Sequence, residues 1–328
     1  MLSRRQFSAV LAGALACPSL LRAQSVPTST LRDAALGLPQ LHAILVQRGG
    51  ERLLAEAPRG RGLEAGANIK SCSKSILALM LGTAIARGEI AGLSARLGEV
   101  APQLIPGDAT EGVADLTMAD LVTLRAGLEG TSGAKYGAWV NSRNWIAYAL
   151  RQPRIAPNGG RMIYSTGTTH VLGAAIAVAT GKDLRQLARE RLGRPLGIDV
   201  ASWTRDPQGY YFGGNEMALT PEAMLRVAVM LRDGGTYGET QVVDQEWVEA
   251  SQVARTTSPY SGLEYGLGWF LSETGWVIAR GYGGQIIAAN PERGLAVAIT
   301  SDPTQIARSG GYFGDLMRLL DGPILDLS

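Results

Sequence analysis

Histidine is nearly missing from this chain: in 328 residues it occurs only at positions 42 and 170, and cysteine only at 17 and 72. Two isolated imidazoles and so few thiols do not build a usual zinc site, so no metal and no other cofactor is expected. No serine stands in a Gly-x-Ser-x-Gly setting, which argues against a nucleophile-elbow hydrolase. Gly266-Leu267-Gly268 lacks a third glycine and a following helix, and Gly181-Lys182 lacks a glycine-rich loop, so the usual dinucleotide and phosphate cradles are missing. Lysine is scarce as well. It occurs at 70, 74, 135 and 182, and arginine supplies the other 27 of the 31 basic residues.

The N-terminus, Leu2-Ser3-Arg4-Arg5-Gln6-Phe7, precedes an apolar stretch over residues 8–16, a break at Pro18 and small residues near Ala23-Gln24-Ser25. Paired arginines before an apolar region too short to span a bilayer read as a twin-arginine export signal over residues 1–25. Export to the periplasm or secretion follows, with no membrane span left after cleavage, and Ala14 argues against lipidation at Cys17. The remaining chain would carry 28 basic and 29 acidic residues, a balance that argues against nucleic acid as a partner. It would also keep Cys72 alone, so no internal disulfide is expected.

Hydrophobic residues make up 46% of the chain, enough for a sizeable core. Residues 42–47 and 52–56 read as two strands joined by a glycine turn. A helix begins near Ser71 and runs to Arg87-Gly88. Between 116 and 197 the periodicity is helical, over 118–124, 142–150, 168–180 and 184–192, and Thr220-Pro221 opens a further helix through Met230. Strands return over 265–271, 276–280, 285–290 and 295–300, and a last helix is expected over 314–320. Strands at both ends with helices between them imply an α/β domain: a sheet lobe over about 36–105 and 215–328, and a helical lobe over about 106–214. The cleft between lobes is a usual place for a site.

Ser71-Cys72-Ser73-Lys74 opens the apolar run 75–81. In a helix, residues three apart share a face, so the Lys74 amine can reach the Ser71 hydroxyl and, if desolvated, act as its base. A helix-capping serine followed by a solvated lysine would look the same. Ser132-Gly133-Ala134-Lys135 has equal spacing but lies in a glycine-rich loop that fixes no face. Tyr164, just ahead of the helix at Thr168, is a second candidate: beside a lysine ammonium its phenolate would be favoured and it could pass protons, although a packed core tyrosine fits equally. Gly281-Tyr282-Gly283-Gly284-Gln285, entering a strand, is the third. Its glycines would let substrate approach the backbone and an N–H meet an oxyanion, or would simply form a turn. His42 falls in a strand, and His170 on a helix suits packing or capping.

Together these stretches resemble the serine β-lactamase-like hydrolases: class C β-lactamases, DD-peptidases, family VIII esterases and 6-aminohexanoate-dimer hydrolase. Residues 68–75 look like the family's first motif. Met162-Ile163-Tyr164-Ser165-Thr166-Gly167 looks like its second, and Gly281 to Gln285 with Pro291-Glu292 looks like its third. Arg194-Pro195-Leu196-Gly197-Ile198 and Gly213-Gly214 with Leu219-Thr220-Pro221 agree in order and spacing. The resemblance implies an antiparallel sheet with flanking helices and an inserted helical lobe. By position it makes Ser71 the acylated nucleophile, Lys74 its base and Tyr164 the proton shuttle. The N–H of Ser71 and one from Gly284 or Gln285 would form the oxyanion hole, and Tyr136 would line the acyl pocket. Two departures stand out. Thr166 replaces the class C asparagine, and Tyr282-Gly283-Gly284 or Gly281-Tyr282-Gly283 replaces Lys-Thr-Gly, leaving no cation there for a penicillin carboxylate, although an arginine from elsewhere could substitute. Both favour a small ester, amide or peptide over a β-lactam. A true β-lactamase or DD-peptidase, and a binding or sensor protein that acylates without turnover, are the alternatives.

Overall fold

The computed structural model describes residues 28–327. The expected export signal and its cleavage region lie outside them. The two ends of the chain supply one eight-stranded sheet. Near the start run β1 (Leu41–Arg48) and β2 (Glu51–Glu56). Near the end run β3 (Thr256–Thr257), β4 (Glu264–Tyr265), β5 (Phe270–Leu271), β6 (Val277–Gly281), β7 (Gln285–Asn290) and β8 (Leu295–Ser301). The order is β2-β1-β8-β7-β6-β5-β4-β3, antiparallel throughout.

Every residue of β7 and β8 is buried, so both sheet faces are covered. Successive side chains serve opposite cores, as strand geometry requires. Ile287, Ala289, Ala296 and Ala298 join the core shared with α2 (Cys72–Ala86) and α4 (Pro221–Arg232), which continues into the helical segments. Ile286, Ala288, Val297 and Ile299 join the opposite core, with Leu31 and Ala35 of α1 (Thr28–Leu36) and Leu316 and Leu319 of α5 (Tyr312–Leu319). Helix α2 is buried on all sides from Cys72 to Ala84, as an all-round apolar helix must be. Full burial of a side chain such as Leu77 or Leu79 is worth roughly 1.5–3 kcal/mol.

Caps set the helix starts within the helical segments. Asn144 accepts from the Ala147 N–H, so that helix begins at Trp145 rather than at Ser142. Ser165 accepts from the Thr168 N–H, so α3 (Thr166–Thr180) starts two residues earlier than its periodicity suggests and leaves Tyr164 immediately ahead of the cap. The strand expected over 265–271 is two strands. Gly268, at φ +82°, breaks it where its carbonyl accepts from Ser75 Oγ at 2.6 Å, and a Cβ there would meet Ala78 at 2.5 Å. The break is what lets the sheet lie against α2. No described helix is long and apolar enough to cross a membrane.

Candidate active site

Three short strands fix the approach to Ser71: Ala67–Asn68 pairs with Met217–Leu219, which pairs with Ser202–Trp203. Lys70 then takes φ +51°, and Glu216, across the pairing, takes φ +62°. Left-handed backbone at residues other than glycine costs about 1–3 kcal/mol and persists only where neighbours enforce it. Here Asn68 Oδ1 accepts from the Lys70 N–H at 2.9 Å, Glu216 Oε1 pairs with Lys70 Nζ at 3.0 Å, and Glu216 Oε2 accepts from Asn68 Nδ2 at 2.6 Å. The strained turn delivers Ser71 to the N-terminus of α2.

Ser71 occupies the N-cap position, yet its side chain caps nothing. Lys74 is 3% exposed, so the pair is not a capping serine with a solvated lysine. Lys74 Nζ lies 3.0 Å from Ser71 Oγ, 2.7 Å from the Gly214 carbonyl and 3.2 Å from Thr166 Oγ1. A neutral amine has two protons and one lone pair. With Gly214 O and Thr166 Oγ1 accepting the protons, the lone pair is left for the Ser71 hydroxyl. Three oxygens around Nζ also suit the ammonium, and burial, by lowering the Lys74 pKa from 10.5 to about 7, brings the neutral amine within reach near neutral pH.

Tyr164 differs from expectation. Its ring lies under Lys74, with Nζ 5.1 Å from the centroid, and its hydroxyl makes contact with Ser71. Burial pushes the phenol up to about 12, and its contact with Ser71 and the charge of Arg280 offset only part of that rise. Desolvation outweighs the nearby cations, and Tyr164 is a protonated phenol at neutral pH.

The third motif also shifts. The Gly284 N–H donates to the Gly281 carbonyl at 3.1 Å, and a Cβ on Gly284 would strike the Tyr312 ring, away from the cleft. Gln285 is fully buried, with Nε2 donating to Ser301 O at 2.8 Å and Oε1 accepting from Ser301 N at 3.1 Å. Gly283 turns, at φ +84°, against Asp302 and Pro303. None of these three lines the cleft. Gly281 and Tyr282 do, and Gly281 sits so close to the Ile69 carbonyl that a Cβ would not fit. Among the described residues, the Ser71 and Tyr282 amides donate to no protein acceptor outside the helix and strand ladders. Both residues line the cleft.

The cleft encloses about 940 Å³. Tyr136 lines it, and its hydroxyl accepts from Asn215 Nδ2 at 2.9 Å. Tyr282 stands half-exposed at its mouth. Sequence reasoning missed several members. Ser132, set aside as the serine of a loop decoy, lines the cleft, and its Oγ accepts from the Thr166 N–H and meets Thr166 Oγ1, both at 2.9 Å. Lys135 of the same segment is ion-paired with Glu129. Arg280, adjoining the glycine stretch, is a cation that the motifs did not single out. It lines the cleft with its guanidinium 4.1 Å from the Phe313 ring centroid, donates to Ser309 Oγ at 3.2 Å and has no carboxylate partner among the described residues. Burial lowers its pKa to about 10. Cys72, directly after Ser71, is free and buried, and burial raises its thiol pKa far out of the reactive range.

A family model described as Beta-lactamase matches residues 43–311. Among solved structures the chain is similar to EstCE1, a hydrolase with promiscuous acyltransferase activity, with 17% identity and a TM-score of 0.74 over 90% of this chain and 98% of that one. It is similar to a penicillin-binding protein homologue from Caulobacter crescentus, with 17% identity and a TM-score of 0.73 over 92% and 98% of the two chains. An octameric penicillin-binding protein homologue from Pyrococcus abyssi shares 17% identity, with a TM-score of 0.68 over 90% of this chain and 76% of that one. At such identities the likeness is one of fold. No curated protein sequence matches the chain.

Proposed function

The chain belongs to the Beta-lactamase family, and from that premise we propose that it is a serine hydrolase that cleaves ester or amide bonds through an acyl-Ser71 intermediate. The observation that carries the reading is the environment of Lys74: a buried amine, its pKa lowered to about 7, with Nζ 3.0 Å from Ser71 Oγ and the Gly214 carbonyl and Thr166 Oγ1 able to take its other two protons. Lys74 takes the Ser71 proton as Oγ bonds to the carbonyl carbon. The oxyanion that forms meets the Ser71 and Tyr282 N–H groups, donors of a kind worth about 3 kcal/mol each in a transition state. The proton then passes by way of the Tyr164 phenol to the leaving alcohol or amine as the carbonyl–heteroatom bond breaks. Water attacks the acyl-serine by the same path in reverse, with its proton drawn toward Lys74, and Ser71 is restored.

A p-nitrophenyl ester should give a burst of about one equivalent of p-nitrophenol. Mass spectrometry should place the acyl group on Ser71, and Ser71→Ala should lose both. A folded chain that forms no adduct with any ester or β-lactam probe would sink the reading. Arg280 favours a second reading, since a cation beside Tyr164 suits a β-lactam carboxylate. Nitrocefin turned over as fast as esters would promote it, and one acylation without turnover would leave a sensor. We also propose export through the twin-arginine route, on the strength of Arg4-Arg5. Retention of an Arg4→Lys, Arg5→Lys chain in the cytoplasm would support it.

A further inference from the structure

We propose that His170 and Asp206, buried behind the cleft and touching no part of it, are positioning residues that hold the Gly214 carbonyl on Lys74. The inference rests on the reading of Lys74 as the base. Both side chains are completely buried, and His170 Nε2 lies 2.9 Å from Asp206 Oδ2. The opposite ring nitrogen, Nδ1, accepts from the Gly213 N–H at 3.3 Å. A backbone N–H only donates, so Nδ1 carries the lone pair and Nε2 carries the proton given to Asp206. The other carboxylate oxygen of Asp206 accepts from the N–H groups of Gln208 and Tyr210 at 2.9 and 2.8 Å, which closes the turn leading into Gly213.

One residue on from that tie, and two peptide units along, the Gly214 carbonyl receives Lys74 Nζ at 2.7 Å. The loop reaches this position because two glycines meet: a Cβ on Gly213 would lie 2.6 Å from the Thr169 carbonyl, and one on Gly173 would lie 3.0 Å from Gly213 Cα. Trp139, Trp145 and Phe212 ring His170, with centroids 5.6–6.0 Å away, and keep water from competing for its nitrogens. A histidine that merely filled this aromatic core would need neither the carboxylate nor the loop amide. The chain of contacts runs from carboxylate to imidazole to the Gly213 amide, and from the carbonyl of the next residue to the base.

Three variants of the mature chain test this. His170→Phe keeps a flat ring but loses both hydrogen bonds. His170→Gln keeps one acceptor and one donor. Asp206→Asn, nearly isosteric, has one acceptor where the carboxylate has two: its NH2 either meets Nε2–H, which forces the tautomer whose Nδ1–H opposes Gly213, or turns to oppose the Gln208 and Tyr210 N–H groups that close the turn. Thermal unfolding establishes which variants fold. In those that do, kcat for a p-nitrophenyl ester should fall roughly 10- to 100-fold for His170→Phe and Asp206→Asn with KM little changed, the scale of a misplaced catalytic group. His170→Gln should recover most of it.

The independent readout is the titration of Lys74 followed by the 13C shift of its ε-carbon. A carbonyl stabilises the ammonium more than the amine, so its withdrawal should move the midpoint below the wild-type value. The other groups felt at the site, Tyr164, Cys72 and Arg280, are unchanged by these substitutions. A folded Asp206→Asn or His170→Phe chain with wild-type kcat and a wild-type Lys74 midpoint overturns the proposal, as does a loss of kcat with the midpoint unmoved. If the wild type itself fails to acylate, the hydrolase reading falls, and the Lys74 midpoint alone decides the positioning role.

Discussion

Lys74 is the residue on which burial acts most directly. Its folded pKa of about 7 lies below the ordinary 10.5, so kcat/KM should rise with pH through about 7 as the amine loses its proton. Measuring the acidic limb on a neutral ester checks this; a limb far below or above would assign the base elsewhere. Stability should follow the same group. Between about 7 and 10.5 the unfolded chain holds a proton that the folded chain has released, so Lys74's contribution to stability rises with pH across that window. Below it both states are protonated and the folded state bears the buried charge. Lys74→Met should lower kcat by roughly 10²- to 10⁴-fold, the usual worth of general base catalysis, and Lys74→Arg should not restore it because a guanidinium keeps its proton. Ser71 and Lys74 were legible because helical spacing places them. Ser132 was not, because a loop carries no periodicity, and only the fold brings its hydroxyl to Thr166.

At the scale of elements, the site depends on how closely β6 approaches the turn before α2. Gly281 has no room for a Cβ against the Ile69 carbonyl, so Gly281→Ala should push the strand end and the Tyr282 N–H away from Ser71. Acylation should slow while the melting temperature falls only modestly, a comparison made by burst kinetics beside thermal unfolding. Thr220→Ala is the contrast. It removes the α4 cap bond to the Ala223 N–H at 3.0 Å, at a residue that does not line the cleft, and should cost about 1 kcal/mol of stability with the burst little changed. Helix α4 was readable from Thr220-Pro221 because capping chemistry is local. The roles within Gly281 to Gln285 were not, because which N–H faces the cleft depends on the hairpin's pairing, Gly281 opposite Gln285, and composition does not fix register. The break at Gly268 escaped notice for a related reason: it answers to Ala78 and Ser75 on α2, nearly two hundred residues earlier.

At the scale of the molecule, the segregation of strand patterns to the two ends and helical patterns to the middle was enough to anticipate a sheet made from both ends. The pairing itself was not written in any local pattern. β8 lies between β1 and β7, in the interior of the sheet, with every residue buried. A chain ending at residue 294 would leave β1 without that neighbour and open both cores. It should show no cooperative melting transition and no acyl-serine. Partial sheet content by circular dichroism with a normal melt would count against this.

The interior place of β8 also bears on how molecules meet one another. A strand at the rim of a sheet offers a row of unpaired N–H and C=O groups to a neighbouring chain, and β8, hydrogen-bonded to β1 on one side and β7 on the other, offers none. The rims fall instead to β2 and to β3, which is only two residues long. The apolar run most able to pair between molecules is thereby kept out of their reach.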